Sequence, residues 1–101
     1  MPKQILLVDD ERNVLDAYRR NLRGEFLIEV AQSGQEALGL IESKGPYAVV
    51  ISDMRMPGMD GIELLRRVKS AAPETVRVMV TGNAEMDTAS RQLMKEAFSD
   101  F

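Results

Sequence analysis

Three aspartates stand at or just after the ends of two apolar segments of the chain. Asp9 and Asp10 directly follow the run Gln4–Val8, and Asp53 follows the run at residues 47–52. Apolar runs of this length are typical of strands that are buried on both faces of a sheet. Aspartates placed at such positions can bind a metal ion, act as nucleophiles or cap a following helix. The order of the strands decides which of these roles is open to them.

The chain alternates predicted strands with predicted helices. Strands are expected at residues 4–8, 26–30, 47–52 and 76–80, and helices at residues 12–23, 33–45, 60–73 and 84–98. The second helix opens with Ser33 and Glu36, and the third opens with Asp60 and Glu63. This spacing is typical of a capping box, so Asp60 and Glu63 are assigned to capping and not to catalysis.

Four strands that are each followed by a helix indicate an α/β fold with a parallel sheet. Right-handed crossovers that cover both faces require the strand order to reverse, and the flavodoxin-like order 2-1-3-4 places the reversal between strands one and three. Ligands of such sheets bind at the carboxyl ends of the strands beside the reversal. Asp9, Asp10 and Asp53 are therefore expected to converge on one crevice.

Three neighbouring carboxylates repel one another, and partial burial increases the cost. A divalent cation relieves this repulsion, and a site made only of oxygen ligands favours Mg²⁺. The competing interpretation is helix capping, which suits a single aspartate better than a pair plus a third at an adjacent strand end. A calcium loop is excluded because Arg55 and Pro57 occupy positions where alternating ligands would be needed.

The composition narrows the classes of function. A chain of 101 residues is at most one domain, and its net charge of -3 predicts no direct binding of nucleic acid. The absence of Cys and His excludes disulfides, thiolate metal sites and histidine bases. The amino-terminal apolar run is too short for a signal peptide or a membrane span, so no membrane association and a cytoplasmic location are expected.

Three segments together resemble the receiver domain of two-component response regulators: "LLVDDE", "VISDMRMPGMDGIELL" and "VMVTGNA". The resemblance extends from Lys3 to about Phe101, and the pattern around Asp53 is the most specific part of it. It implies a signalling domain and not an enzyme, with at most self-catalysed phosphotransfer and dephosphorylation.

The resemblance also implies a role for each residue of the crevice. Asp53 would accept a phosphoryl group from a sensor histidine kinase or a phosphotransfer protein. Asp10 would bind Mg²⁺ directly, Asp9 mostly through water, and the backbone carbonyl of Arg55 would be a further ligand. Thr81, at the end of the fourth strand, would act as a hydroxyl switch on the phosphoryl group, although a threonine there can also bond its own loop backbone.

The loop after Asp53 contains further signals. Pro57 and Gly58 predict a turn in which the glycine adopts a positive φ. A side chain at Gly61, in the first turn of the next helix, would crowd the loop. The methionines of this loop either fill irregular gaps beneath it or form a contact surface for the kinase: Met54, Met56 and Met59.

The carboxyl-terminal part of the sequence departs from the receiver pattern. A receiver continues through a fifth strand, which ends in a lysine, and a fifth helix, whereas this sequence ends with "FSDF". We therefore expect a receiver-like domain over residues 1–101 that is truncated, with the fifth strand and helix missing or incomplete. It is either a fragment of a longer regulator or a shortened receiver that acts as a protein-interaction or dimerisation module without full phosphoryl switching. Self-association through the open sheet edge is expected.

A haloacid-dehalogenase-type phosphatase or phosphotransferase also uses an aspartyl nucleophile. Its nucleophile follows the first strand in an Asp-x-Asp pattern, and "VDDER" lacks that spacing. The receiver interpretation is therefore preferred.

Overall fold

The structure is a computed structural model that describes residues 4–22, 24 and 26–80. Strands and helices alternate along these residues, as the apolar periodicity predicts. The elements are β1 (Gln4–Val8), α1 (Arg12–Leu22), β2 (Leu27–Ala31), α2 (Gly34–Lys44), β3 (Val49–Asp53), α3 (Gly61–Ala71) and β4 (Val76–Val80). The helix predicted at residues 84–98 and any fifth strand lie outside the described residues.

The four strands form one parallel sheet in the order β2-β1-β3-β4. This is the predicted flavodoxin-like order, with the reversal between β1 and β3. The register places Val8 beside both Ala31 and Ser52, and it places Asp53 beside Val80. The carboxyl ends of β1 and β3 therefore meet at the same edge of the sheet, as the predicted crevice requires.

The core has two halves, one on each face of the sheet. Successive residues of β1 alternate between them, with Ile5 and Leu7 facing α1 and Leu6 and Val8 facing α2 and α3. This explains why the strand is apolar throughout: a central strand that is covered on both faces has no solvent side. Helix α1 contributes Leu15, Tyr18 and Leu22 to its half, and α2 and α3 contribute Ala37, Ile41, Leu64, Leu65 and Val68 to the other.

Two helices begin at the predicted caps. The Ser33 hydroxyl oxygen accepts the Glu36 N–H at 3.1 Å, and the Asp60 carboxylate accepts the Glu63 N–H at 2.9 Å.

In the described part of the chain, no helix has the length and apolar character that a membrane span requires.

Two strands differ from their predicted bounds by one or two residues. Strand β3 is observed at Val49–Asp53 and not at residues 47–52, and the Tyr47 carbonyl before it accepts the buried Thr75 hydroxyl at 2.7 Å. Strand β2 is observed at Leu27–Ala31 and not at residues 26–30, and the Ala31 carbonyl accepts the Asp9 N–H at 3.1 Å. Both contacts join residues that are distant in sequence, which local periodicity does not reveal.

Candidate functional site

The structure brings Asp9, Asp10 and Asp53 together at the carboxyl ends of β1 and β3. One carboxylate oxygen from each lies within 4.8 Å of the other two, which is a spacing that one metal ion can bridge. The strand order produces this cluster, because β1 and β3 are neighbouring parallel strands whose carboxyl ends lie side by side. The convergence predicted from the sequence is confirmed at the level of geometry.

Asp9 is the buried member of the cluster. Its residue is only 3% exposed, and its Oδ1 accepts the Glu11 N–H at 2.9 Å. Burial is the main cause that raises the pKa of its carboxyl from 3.8 to about 6, and the neighbouring Asp53 and Asp10 charges raise it further. The Glu11 N–H opposes this shift but does not cancel it. An additional positive charge at this point would therefore stabilise the ionised form.

Asp53 is half-buried at the last position of β3, with its carboxylate beside Asp10. Desolvation is the largest influence on its pKa and raises it, whereas the nearby backbone N–H groups of Met54 and Arg55 lower it. Partial burial with access to solvent suits a nucleophile, because the reacting oxygen must be reachable and also incompletely hydrated.

The loop after Asp53 has the predicted local geometry. Gly58 has a φ of 77°, a backbone conformation that residues with a Cβ rarely adopt. A Cβ on Gly61 would overlap the Asp53 carbonyl oxygen and lie 3.0 Å from the Met54 Cα. The N–H of Gly61 donates to the Met54 carbonyl at 2.9 Å, so the start of α3 is joined directly to the residue after Asp53.

The methionines of the loop divide between packing and exposure. Met56 is buried in the core half formed with α2 and α3, and Met59 packs against the same half. The packing interpretation therefore applies to these two residues, whereas Met54 is half-buried. An open hollow of about 470 Å³ adjoins the loop, lined by Met54, Arg55, Met56, Pro57 and Asp60.

Two further residues were predicted to belong to the site, Arg55 and Thr81. The Arg55 side chain is exposed, and its backbone lies in the loop beside Asp53. Thr81 lies outside the described residues, so its switch role stays a prediction. Two contacts in the site were not predicted from the sequence: the Glu11 N–H donates to the Asp9 carboxylate, and the Ser52 hydroxyl donates to the Asp53 carbonyl. No sequence motif indicates either contact.

The cluster offers only carboxylate oxygen atoms as ligands. The buried carboxylate of Asp9 makes no salt bridge with a basic side chain among the described residues. Such a donor set fits Mg²⁺, which prefers carboxylates, carbonyls and water. A metal ion there would leave the Asp53 carboxylate beside the cation, where an incoming anionic phosphoryl group would also be stabilised.

The family model for the response regulator receiver domain matches residues 5–101. Among curated proteins, the response regulator MprA of Mycolicibacterium vanbaalenii is 43% identical over 82 residues, which cover 80% of this chain and 35% of that protein. The hydrogenase transcriptional regulatory protein HoxA of Cupriavidus necator is 39% identical over 83 residues, which cover 82% of this chain and 17% of that protein. The chain thus spans between about a sixth and about a third of these relatives.

Solved structures show the same similarity. A CheY-like response regulator receiver domain protein from Methanospirillum hungatei superposes with a TM-score of 0.77 at 31% identity, covering 96% of this chain and 76% of that one. The response regulator TrrA of Thermotoga maritima, solved in complex with Mg²⁺–BeF, gives a TM-score of 0.73 at 32% identity. The match covers 94% of this chain and 80% of that one. With the sheet order, the aspartate cluster and the match to nearly the whole chain, these similarities show that the protein belongs to the response regulator receiver domain family.

Proposed function

We propose that the chain accepts a phosphoryl group on Asp53, with Mg²⁺ held by the Asp9, Asp10 and Asp53 carboxylates and the Arg55 backbone carbonyl. The observation that carries the proposal is the convergence of the three carboxylates within 4.8 Å at one edge of the sheet. Response regulators receive their signal from histidine kinases, so the proposed donor is a phosphohistidine on such a kinase or on a phosphotransfer protein.

The proposed step is a displacement at phosphorus. An oxygen of the ionised Asp53 carboxylate forms the new O–P bond, and the N–P bond to the donor imidazole breaks, giving an acyl phosphate. The imidazole nitrogen leaves with the electron pair of the broken bond and takes up a proton from solvent. Because two anions approach each other in this step, charge neutralisation and alignment make the largest contributions to the rate.

A bound Mg²⁺ would supply the positive charge that permits the approach. The chain itself contributes the aligned carboxylate: Asp53 is fixed at the end of β3, and the nearby Met54 and Arg55 N–H groups favour its ionised form. The complex of TrrA with Mg²⁺–BeF shows that a related receiver binds this cation with a fluoride of beryllium, which supports the proposal. The proposed hydroxyl partner is Thr81.

The metal is tested first. Titration of Mg²⁺ into the chain should shift the backbone amide resonances of Asp9, Asp10 and Asp53 with a shared midpoint. Weak binding is expected, because Mg²⁺ sheds its water reluctantly and no phosphate is present. Asp10→Asn removes one charge from the cluster and should weaken binding, whereas Asp16→Asn removes a partly exposed charge on α1, outside the cluster, and should leave the midpoint unchanged.

The acceptor is tested by incubation with phosphoramidate and Mg²⁺, followed by intact mass measurement. The wild-type chain and Asp16→Asn should each gain one phosphoryl group, and Asp53→Asn should gain none. An adduct that persists in Asp53→Asn would show that the acceptor has been assigned to the wrong residue.

We also propose that residues 1–101 act as one receiver unit, and that the unit self-associates through β4. The supporting observation is that β4 pairs only with β3 among the described residues, which leaves its other side available to a second chain. The alternative proposal is that the unit acts as a protein-interaction or dimerisation module without full phosphoryl switching. A cytoplasmic location and the absence of direct nucleic-acid and membrane binding stay predictions.

A further inference from the structure

Ser52, which precedes Asp53 in β3, is a polar residue with no exposed surface. Its register neighbours are Val8 in β1 and Met79 in β4, so it lies in the middle of the sheet and not at the rim. A hydroxyl buried there destabilises the fold unless it makes a hydrogen bond. The Ser52 Oγ donates to the Asp53 carbonyl oxygen at 2.9 Å.

The carbonyl that receives this bond belongs to the peptide that joins Asp53 to Met54. Gly61 closes the other side of the same peptide, because a Cβ there would overlap the Asp53 carbonyl oxygen. The N–H of this peptide, on Met54, donates to the Val80 carbonyl at 3.1 Å. The peptide is thus held by a side-chain hydroxyl, by a helix backbone and by the adjacent strand.

The next peptide depends on the first one. Its carbonyl, on Met54, accepts the Gly61 N–H at 2.9 Å, and its N–H, on Arg55, lies near enough to the Asp53 carboxylate to lower the pKa of that group. A rotation of the peptide between Asp53 and Met54 would therefore move both the carboxylate and the chain that leads to the Arg55 carbonyl. These are two of the four proposed metal ligands.

We infer that Ser52 is a positioning residue for phosphoryl transfer: its hydroxyl fixes the peptide after Asp53 and thereby orients the acceptor carboxylate and the Arg55 carbonyl. This inference rests on the proposed function of Asp53. It adds a residue that contacts neither the metal nor the phosphoryl group and acts only through the backbone.

The opposite end of the sheet provides a matched control. Thr75 is also buried, and its hydroxyl donates to a backbone carbonyl, that of Tyr47, at 2.7 Å. Thr75 precedes β4 at the amino-terminal ends of the strands, so it lies far from the aspartate cluster. Ser52→Ala and Thr75→Val each remove one buried hydroxyl and should lower the melting temperature to a similar degree. They should differ in their effect on the site.

The experiment measures the initial rate of phosphoryl uptake from phosphoramidate at saturating Mg²⁺, together with the Mg²⁺ midpoint from amide shifts. The small donor is used because it removes any contribution from kinase recognition. Ser52→Ala should slow uptake about tenfold and raise the Mg²⁺ midpoint, since small misplacements of a nucleophile reduce rates by one to two orders of magnitude. Thr75→Val should change neither quantity, and Ser52→Thr, which retains the hydroxyl, should recover most of the rate.

The outcomes separate the inference from the proposed function. If the wild-type chain takes up no phosphoryl group, the proposed function fails and the inference fails with it. If the wild type is phosphorylated on Asp53 and Ser52→Ala matches its rate and its Mg²⁺ midpoint, only the inference is overturned. Equal losses in Ser52→Ala and Thr75→Val would also overturn it, since they would indicate a general effect of stability. If Ser52→Ala does not fold, Ser52→Cys, with its weaker donor, replaces it in the same comparison.

Discussion

At the scale of single residues, the buried carboxyl of Asp9 makes stability depend on pH. Its pKa is raised from 3.8 to about 6 in the folded chain, mainly by burial. Between these values the folded state keeps a proton that the unfolded state has lost, so stability falls as the pH rises from about 4 to about 6. At about 1.4 kcal/mol for each pKa unit, the free energy of unfolding should decrease by about 3 kcal/mol across this range.

The prediction is tested by urea denaturation of the metal-free chain between pH 4 and pH 7.5. Asp9→Asn removes the titrating group and should flatten the pH dependence, leaving a variant that is more stable than the wild type at pH 7. Parallel curves for the two chains would show that other carboxylates cause the dependence. Mg²⁺ at pH 7 should stabilise the wild type more than Asp9→Asn, because it binds the folded state only.

Gly61 gives a second prediction at this scale. Since a Cβ would overlap the Asp53 carbonyl oxygen, Gly61→Ala forces the start of α3 away from the loop. We expect the free energy of unfolding to fall by about 1–3 kcal/mol, as is usual for overpacked sites.

The matched control is Gly39→Ala, in the middle of α2, where an added Cβ meets no atom within 4 Å. Alanine is the better helix former, so this variant should be more stable by about 0.5–1 kcal/mol. Urea denaturation of both variants checks the pair, and a Gly61→Ala variant as stable as wild type would contradict the close contact.

At the scale of elements, the start of α3 depends on Asp60. Its carboxylate accepts the Glu63 N–H at 2.9 Å, which satisfies one of the free donors in the first turn. Asp60→Ala should lower the free energy of unfolding by about 1 kcal/mol, and Asp60→Ser, which can still accept that bond, should lower it by less. Thermal melts of the three chains test the order, and identical melting temperatures would mean that the cap adds no stability.

Strands and helices could be predicted from the sequence where a local pattern of residues defines them. The apolar runs located β1 and β4 at the observed residues, and the pairs Ser33–Glu36 and Asp60–Glu63 located the starts of α2 and α3. The alternation of strands and helices, with the crossover rule, predicted a parallel sheet whose strand order reverses. The flavodoxin-like order 2-1-3-4, adopted for that reversal, is the observed one.

Features that depend on distant partners could not be predicted in this way. The bond from the buried Thr75 hydroxyl to the Tyr47 carbonyl, just before β3, joins residues 28 positions apart in sequence. In the site, residue types predicted which carboxylates converge, but neither the burial of Asp9 nor the bond from Ser52 has a sequence signal. Both arise from packing in three dimensions. Thr81 lies outside the described residues, so its role stays a prediction.

At the scale of the whole molecule, the two outer strands of the sheet that the described residues form differ in charge. Strand β2 carries Glu29, which pairs with Lys44 at 3.4 Å, so charge protects that edge. Strand β4 has only Arg77 as a charged residue. Because the Val76 N–H and the Val80 carbonyl bond towards β3, alternation directs the backbone groups of Arg77 and Met79 away from it.

We therefore expect the chain to form a dimer by pairing at β4, because an edge that carries little charge and that no other described strand pairs is a template for a second strand. Arg77→Pro removes an outward N–H while keeping the bonds to β3, so it should weaken association. Arg77→Ala keeps the N–H and removes the charge, so it should strengthen association. Sedimentation equilibrium at micromolar concentrations distinguishes the three chains. A wild-type mass that stays near 11.3 kDa, with no difference between the two variants, would contradict pairing through this edge.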